Sequence, residues 1–178
     1  MSSKPSSLKT KLGEKEMKKS SIRNLTHSAI IGAMYVALTW LSNVLGLASG
    51  AIQLRLGEAL CILPYFTPSA VWGLAIGCLI SNITMGSTLL DIVVGTLATI
   101  IGAIGTRKIR NKYLCPIPPV LANTVLVPFV IIISYTKEWN LYAYLTTTLG
   151  VFAGEVISIY VLGLILLLAI EKTKIFKR

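Results

Sequence analysis

The stretch LLDIVVGTLATIIGAIGTRKIRNK, residues 89–112, decides the fold class. After Asp91 it carries no charge until Arg107, and then Arg107, Lys108, Arg110 and Lys112 crowd together. An uncharged apolar run that ends in Lys and Arg is the pattern of a helix that crosses a bilayer and stops at its surface. The same pattern repeats in both directions along the chain. Upstream, a helix is expected from Thr26 to Val44, a second segment from Ile52 to Phe66 and a third from Ser69 to Thr84, with Thr67-Pro68 as the turn between them. Downstream, Pro116, Pro118 and Pro119 open a fifth helix reaching Tyr135, and a long sixth ends near Glu171. The fourth is the opening stretch itself, Leu89 to Gly105. The second and third are short for the roughly 20 residues of a straight span, so either is expected as a broken or tilted element buried by its neighbours. The expected fold is an all-α membrane protein, a compact bundle of six transmembrane helices.

Composition and charge agree. Hydrophobic residues make up 54% of the chain and charged residues 13%, with a mean hydropathy of +0.74. Soluble domains carry roughly a quarter charged residues. The net charge of +10 lies in three basic clusters: the polar segment 1–24, Arg107–Lys112, and the end of the chain at Lys172, Lys174, Lys177 and Arg178. Only Arg55 and Lys137 fall outside them. Basic clusters separated by apolar runs fit one membrane face and not a nucleic-acid surface. With both termini cytoplasmic, the Pro68 turn and the Arg107–Lys112 cluster are also inside, and Trp139, Tyr142 and Tyr144 sit in an outer interfacial belt. Residues 1–24 read as a mobile cytoplasmic tail and not as a cleaved signal peptide; residues 25–172 form the membrane domain.

Catalytic chemistry has little to stand on. Cys61, Cys78 and Cys115 are far apart and form no CxxC pair, and the single histidine, His27, leaves no zinc spacing. No P-loop, HExxH or nucleophile elbow occurs. No cofactor and no metal are implied.

Four ionisable side chains lie inside the apolar region: Arg55, Glu58, Asp91 and Glu155. An intramembrane charge costs at least about 2.5–3.5 kcal/mol, which makes each a candidate for function. Counted at about 1.5 Å per residue, Glu58 falls near mid-depth, with Arg55 one turn outward. Asp91 is near the outer end of its helix and Glu155 in the outer or middle part of the last one. Gln53 and Asn82 reach a similar level, so one polar pocket opening outward is expected. Arg55 and Glu58, at i and i+3, also suit an internal ion pair that only holds helices together. Asp91 equally suits a helix start, favoured by the helix dipole. On the first helix, Ala29, Ala33 and Ala37, with Gly32 beside them, make a stripe of small residues that lets another helix approach, from within the bundle or from a partner.

The run QLRLGEALCILPYFTP (residues 53–68) resembles the signature of the QueT family, and GLAIGCLISN (73–82), LDIVVGTLA (90–98) and AGE (153–155) continue the likeness. The family supplies substrate-binding (S) components of energy-coupling factor transporters. The resemblance implies a solute site near the outer face, a transmembrane coupling protein and two cytoplasmic ATPases as partners, and a place in the prokaryotic cell membrane. It implies that Ala29, Ala33 and Ala37 dock on the coupling protein, and that the loaded bundle topples to release its solute inside. The implied solute is a queuosine precursor, either 7-aminomethyl-7-deazaguanine or queuine. A guanine-like edge offers adjacent N–H donors to a carboxylate, and an aminomethyl cation attracts a second acid. Glu58 and Glu155 suit those roles, with Gln53, Asn82 or Asn123 left for the carbonyl and ring nitrogens. Asn123 counts to the inner part of the fifth helix, and Arg55 is left to pair with Asp91 or Glu58. Gly57 departs from the serine or similar small residue expected before the acid. The alternative is a stand-alone, proton-coupled carrier of a small polar or cationic solute, with Glu58 or Glu155 titrating.

Overall fold

Helix α1 spans Ser6–Val44. It starts well before the expected Thr26, because Lys, Glu, Leu and Met in the basic segment are good helix formers and no proline interrupts them after Pro5. The computed structural model describes residues 6–48, 52–136 and 139–173, with side chains omitted at 6–16, 19, 135 and 136. Lys137 and the basic residues beyond Thr173 lie outside the described residues. Helices α2 (Ser69–Thr84), α3 (Leu89–Lys108) and α4 (Ile117–Ile131) follow. The last rod is continuous: α5 (Leu141–Glu155), a π-helical stretch Val156–Leu162, and α6 (Gly163–Thr173). Among the described residues there is no strand.

The second expected span takes a different form. Gln53–Arg55 is extended backbone, and Leu56–Tyr65 is a 3-10 helix whose residues from Gly57 to Tyr65 are all buried. At about 2.0 Å per residue it is shorter than a bilayer core. Pro64 inside it removes a backbone donor, and Gly57 lets it press against α1, where a Cβ would run into the Thr39 hydroxyl. The same Cβ would stand 3.0 Å from the Tyr35 carbonyl, so the close approach favours glycine. α1, α2, α3 and the last rod all pack on this segment, so it forms the axis of the bundle. Among the described residues, four helices are long and apolar enough to cross a membrane: Ser20–Val44, Leu89–Lys108, Ile117–Ser134 and Leu141–Thr173. Less than half of each is buried inside the protein, leaving apolar side chains such as Ile101, Leu121, Leu149 and Ile165 exposed as a lipid-facing surface.

Small residues set the helix spacing. Gly32 of α1 meets Gly73 and Gly77 of α2, where a Cβ on Gly73 would stand 2.6 Å from the Ser28 carbonyl. Gly102 of α3 lies against Pro119, with room for no Cβ. At the opposite edge of the sequence pattern, α1 and α2 end alike. Gly46 and Gly86, both at φ +70°, let Leu47 donate to Ser42 O and Ser87 to Asn82 O, which satisfies carbonyls at each helix end.

The chain alternates direction, so the two ends of the bundle differ. One end gathers the termini of the 3-10 segment, α3 and α6. There Arg107 donates to Pro64 O and Tyr65 O, the Tyr65 hydroxyl to Arg110 O, and Lys112 pairs with Glu171 at 3.0 Å. The Glu171 carboxylate holds the Lys112 ammonium above the ordinary lysine range. The Pro68 turn, the Arg107–Lys112 cluster and the end of α6 thus share one face. The other end holds the loop after α1, the α2–α3 turn and the start of α5.

Candidate functional site

The acidic residue of the 3-10 segment, Glu58, is buried at the bundle axis, and three elements converge on it. Tyr35 of α1 donates its hydroxyl to Glu58 Oε1 at 2.5 Å. The Cys61 thiol donates to Glu58 Oε2 at 3.0 Å, from one turn further along the same segment. Asn123, near the middle of the α4 span, donates Nδ2 to Glu58 Oε2 at 3.5 Å and to Glu155 Oε2 at 3.0 Å. One amide therefore ties two buried carboxylates that are far apart in sequence. Glu155 closes α5 just where the backbone loosens into its π-helical stretch, a feature that recurs at functional sites. Gly154 beside it admits the Gln53 carbonyl, where a Cβ would overlap. The extended stretch Gln53–Arg55 is thereby held against α5.

A cavity of about 410 Å³ opens next to this knot, at the end away from the basic face. Gln53 and Arg55 line it from the extended stretch before the 3-10 segment, Asn82 from α2, Asp91 from α3, and Thr39 and Asn43 from α1. Asp91 lies in the first turn of α3, which Thr88 caps by accepting from the Asp91 N–H. The positive helix end favours its carboxylate there. Thr39 Oγ1 is buried and has no hydrogen-bond partner among the described residues. No hydrogen bond or ion pair joins Arg55 to Glu58 or to Asp91 among the described residues. The expected internal ion pair is absent, because the i, i+3 relation brings side chains together on an α-helix, whereas Arg55 precedes a 3-10 turn in an extended conformation with φ −108° and ψ 103°.

All seven residues singled out from the sequence lie at this end, in two adjacent groups. Glu58, Asn123 and Glu155 form the knot; Gln53, Arg55, Asn82 and Asp91 face the cavity. Asn123 is not too deep, as counting from the helix end suggested, because Glu58 meets it at mid-span. Sequence reasoning missed Tyr35, Cys61 and Thr39. A single tyrosine in the apolar part of the first helix was the available signal for Tyr35; a threonine or a buried cysteine there is ordinary. Ala29, Ala33 and Ala37 are exposed on α1, whereas Gly32 is buried against α2 and belongs to internal packing. Trp139 stacks between Phe129 and Tyr144 at centroid distances of 5.7 and 5.4 Å, at the same end as the cavity.

The arrangement is a polar, partly enclosed pocket in an apolar bundle, with one carboxylate, one guanidinium and several amides and hydroxyls on its wall. It suits the capture of a small polar molecule that both donates and accepts hydrogen bonds. A family model described as QueT transporter matches residues 25–172. The queuosine precursor transporter QueT of Lactococcus lactis subsp. cremoris (strain MG1363) is 35% identical over 85 residues, covering 48% of this chain and 50% of that relative. The chain thus spans about half the length of the curated relative it matches. No solved structure matches. The family match takes in the 3-10 axis, both carboxylates and every helix that carries the cavity, and this multi-pass membrane chain belongs to the QueT transporter family.

Proposed function

We propose that this chain is the membrane-embedded substrate-binding component of an ATP-driven importer, and that its solute is a queuosine precursor, a 7-deazaguanine such as 7-aminomethyl-7-deazaguanine or queuine. The observation that carries the reading is the Glu58–Asn123–Glu155 knot beside the cavity. Among the described residues Glu155 accepts from Asn123 alone, although a carboxylate offers about four lone-pair sites. The adjacent N1–H and 2-amino donors of a guanine-like edge match that spare capacity, and charge-assisted hydrogen bonds are the strong ones. The family and the name of the relative support the solute class.

The cavity end faces outward and the basic end faces the cytoplasm across the cell membrane, in accord with the positive-inside rule. The sequence contains no P-loop, so ATP hydrolysis belongs to two partner ATPases, reached through a transmembrane coupling protein. The exposed stripe Ala29, Ala33 and Ala37 is the docking face for that protein, since small side chains let a second helix come close.

The test titrates the purified protein in detergent with 7-aminomethyl-7-deazaguanine, queuine and guanine. Saturable binding of the deazaguanines is expected. Folded protein that binds none of them would refute the solute. Uptake in cells stripped of the partner ATPases should stop; uptake that persists would favour a stand-alone proton-coupled carrier.

A further inference from the structure

Arg55 and Asp91 face one cavity of about 410 Å³ without pairing to each other. In an apolar bundle, opposite charges left apart are costly unless something between them takes up both. The wall they share also carries Thr39 Oγ1, a buried hydroxyl without a partner, and the side chain of Asn82, whose amide finds only the weak acceptor Cys78 Sγ at 3.6 Å. These groups are held in place by the fold and not by one another. Thr39 backs on Gly57, Asp91 sits in a capped first turn, and Arg55 is fixed by Glu58 N–H donating to its carbonyl at 3.0 Å.

The occupant must present an acceptor to the guanidinium and a cationic donor to the carboxylate, close together. A 7-deazaguanine carries both on one edge. Its ring carbonyl and its 7-substituent leave the same side of the base, whereas the N1–H and 2-amino donors leave the other. In the reading proposed above, those donors go to Glu58 and Glu155, which are buried beside the cavity.

We propose that Arg55 and Asp91 form a charge-split subsite that reads the carbonyl/7-substituent edge of the base. Arg55 donates to the ring carbonyl, which every ligand of this class has. Asp91 accepts from an ammonium on the 7-substituent, which only amine-bearing ligands have. Asp91 thereby selects an aminomethyl base over its nitrile counterpart. This rests on the deazaguanine reading above and sharpens it to the amine-bearing members.

The experiment compares 7-aminomethyl-7-deazaguanine with 7-cyano-7-deazaguanine on the full-length protein, wild type and the variants Asp91→Asn and Asp91→Ser. The wild type should prefer the amine by roughly tenfold or more, the range of one charge-assisted hydrogen bond. Both variants should bring that ratio close to one, while the nitrile ligand binds within about threefold of wild type, which also reports an intact fold. A wild-type ratio near one overturns the assignment, and so do variants that weaken both ligands alike. Variants that keep the wild-type unfolding temperature yet bind neither ligand overturn it as well. Wild-type protein that binds neither ligand refutes the deazaguanine reading itself, and the subsite falls with it.

Discussion

Glu58 and Arg55 lie one turn apart in the same segment and meet opposite fates. Glu58 is enclosed by a tyrosine, a thiol and an amide from three elements. Arg55 faces a cavity with no ion-pair partner, near a threonine hydroxyl that is also unpartnered. The first region is satisfied largely by the protein, and its loss is felt as lost stability even without ligand, as well as lost affinity. The second is left open, and its loss should be felt only when a ligand is present. The bilayer sharpens the contrast, because Glu58 is buried and must find its partners in the protein, whereas Arg55 faces a cavity that opens at one end of the bundle.

Breaking the satisfied region has the largest expected effect. Asn123→Leu removes the donor shared by both carboxylates and leaves them against each other in an apolar setting. A loss of about 3 kcal/mol or more is expected, read as a lower unfolding temperature in detergent even without ligand. Tyr35→Phe removes one hydrogen bond to Glu58 and keeps the ring in place. A loss of about 1.5–3 kcal/mol is expected, divided between unfolding temperature and ligand affinity. Thr39→Val reverses the comparison. Its hydroxyl has no partner to lose, so stability should stay within about 0.5 kcal/mol or rise slightly. Ligand affinity should nonetheless fall severalfold. A Thr39→Val protein destabilised as much as Tyr35→Phe would erase the distinction between the two regions.

Much of the helical order was legible from the sequence. Proline, glycine and basic clusters punctuate it, and α2 runs from Ser69 to Thr84 as its Pro68 and Gly86 flanks imply. α1 ends at Val44 as expected, and α3 and α6 end within a few residues of the expected places. The second segment was legible only as apolar and short. Whether ten apolar residues coil as an α-helix or as a 3-10 helix depends on the four elements packed around them, which local propensity does not encode. The acids stood out because charge within an apolar run is rare. Tyr35 and Thr39 did not, since both are common in membrane helices and gain meaning only from Glu58 and Gly57 across the packing interface. Gly32 shows the reverse case. It sits beside the alanine stripe in sequence, yet the turn of the helix aims it at Gly73 and Gly77.

The most direct test of the account is a thermal-shift titration of wild type and Glu58→Gln with 7-aminomethyl-7-deazaguanine. The substitution keeps the side chain's size and one acceptor oxygen while removing the charge. Ligand should raise the unfolding temperature of wild type in a concentration-dependent way, as binding to the folded state requires. It should leave Glu58→Gln unmoved over the same range. A Glu58→Gln protein stabilised by the ligand as strongly as wild type would contradict the placement of the solute at the carboxylate knot.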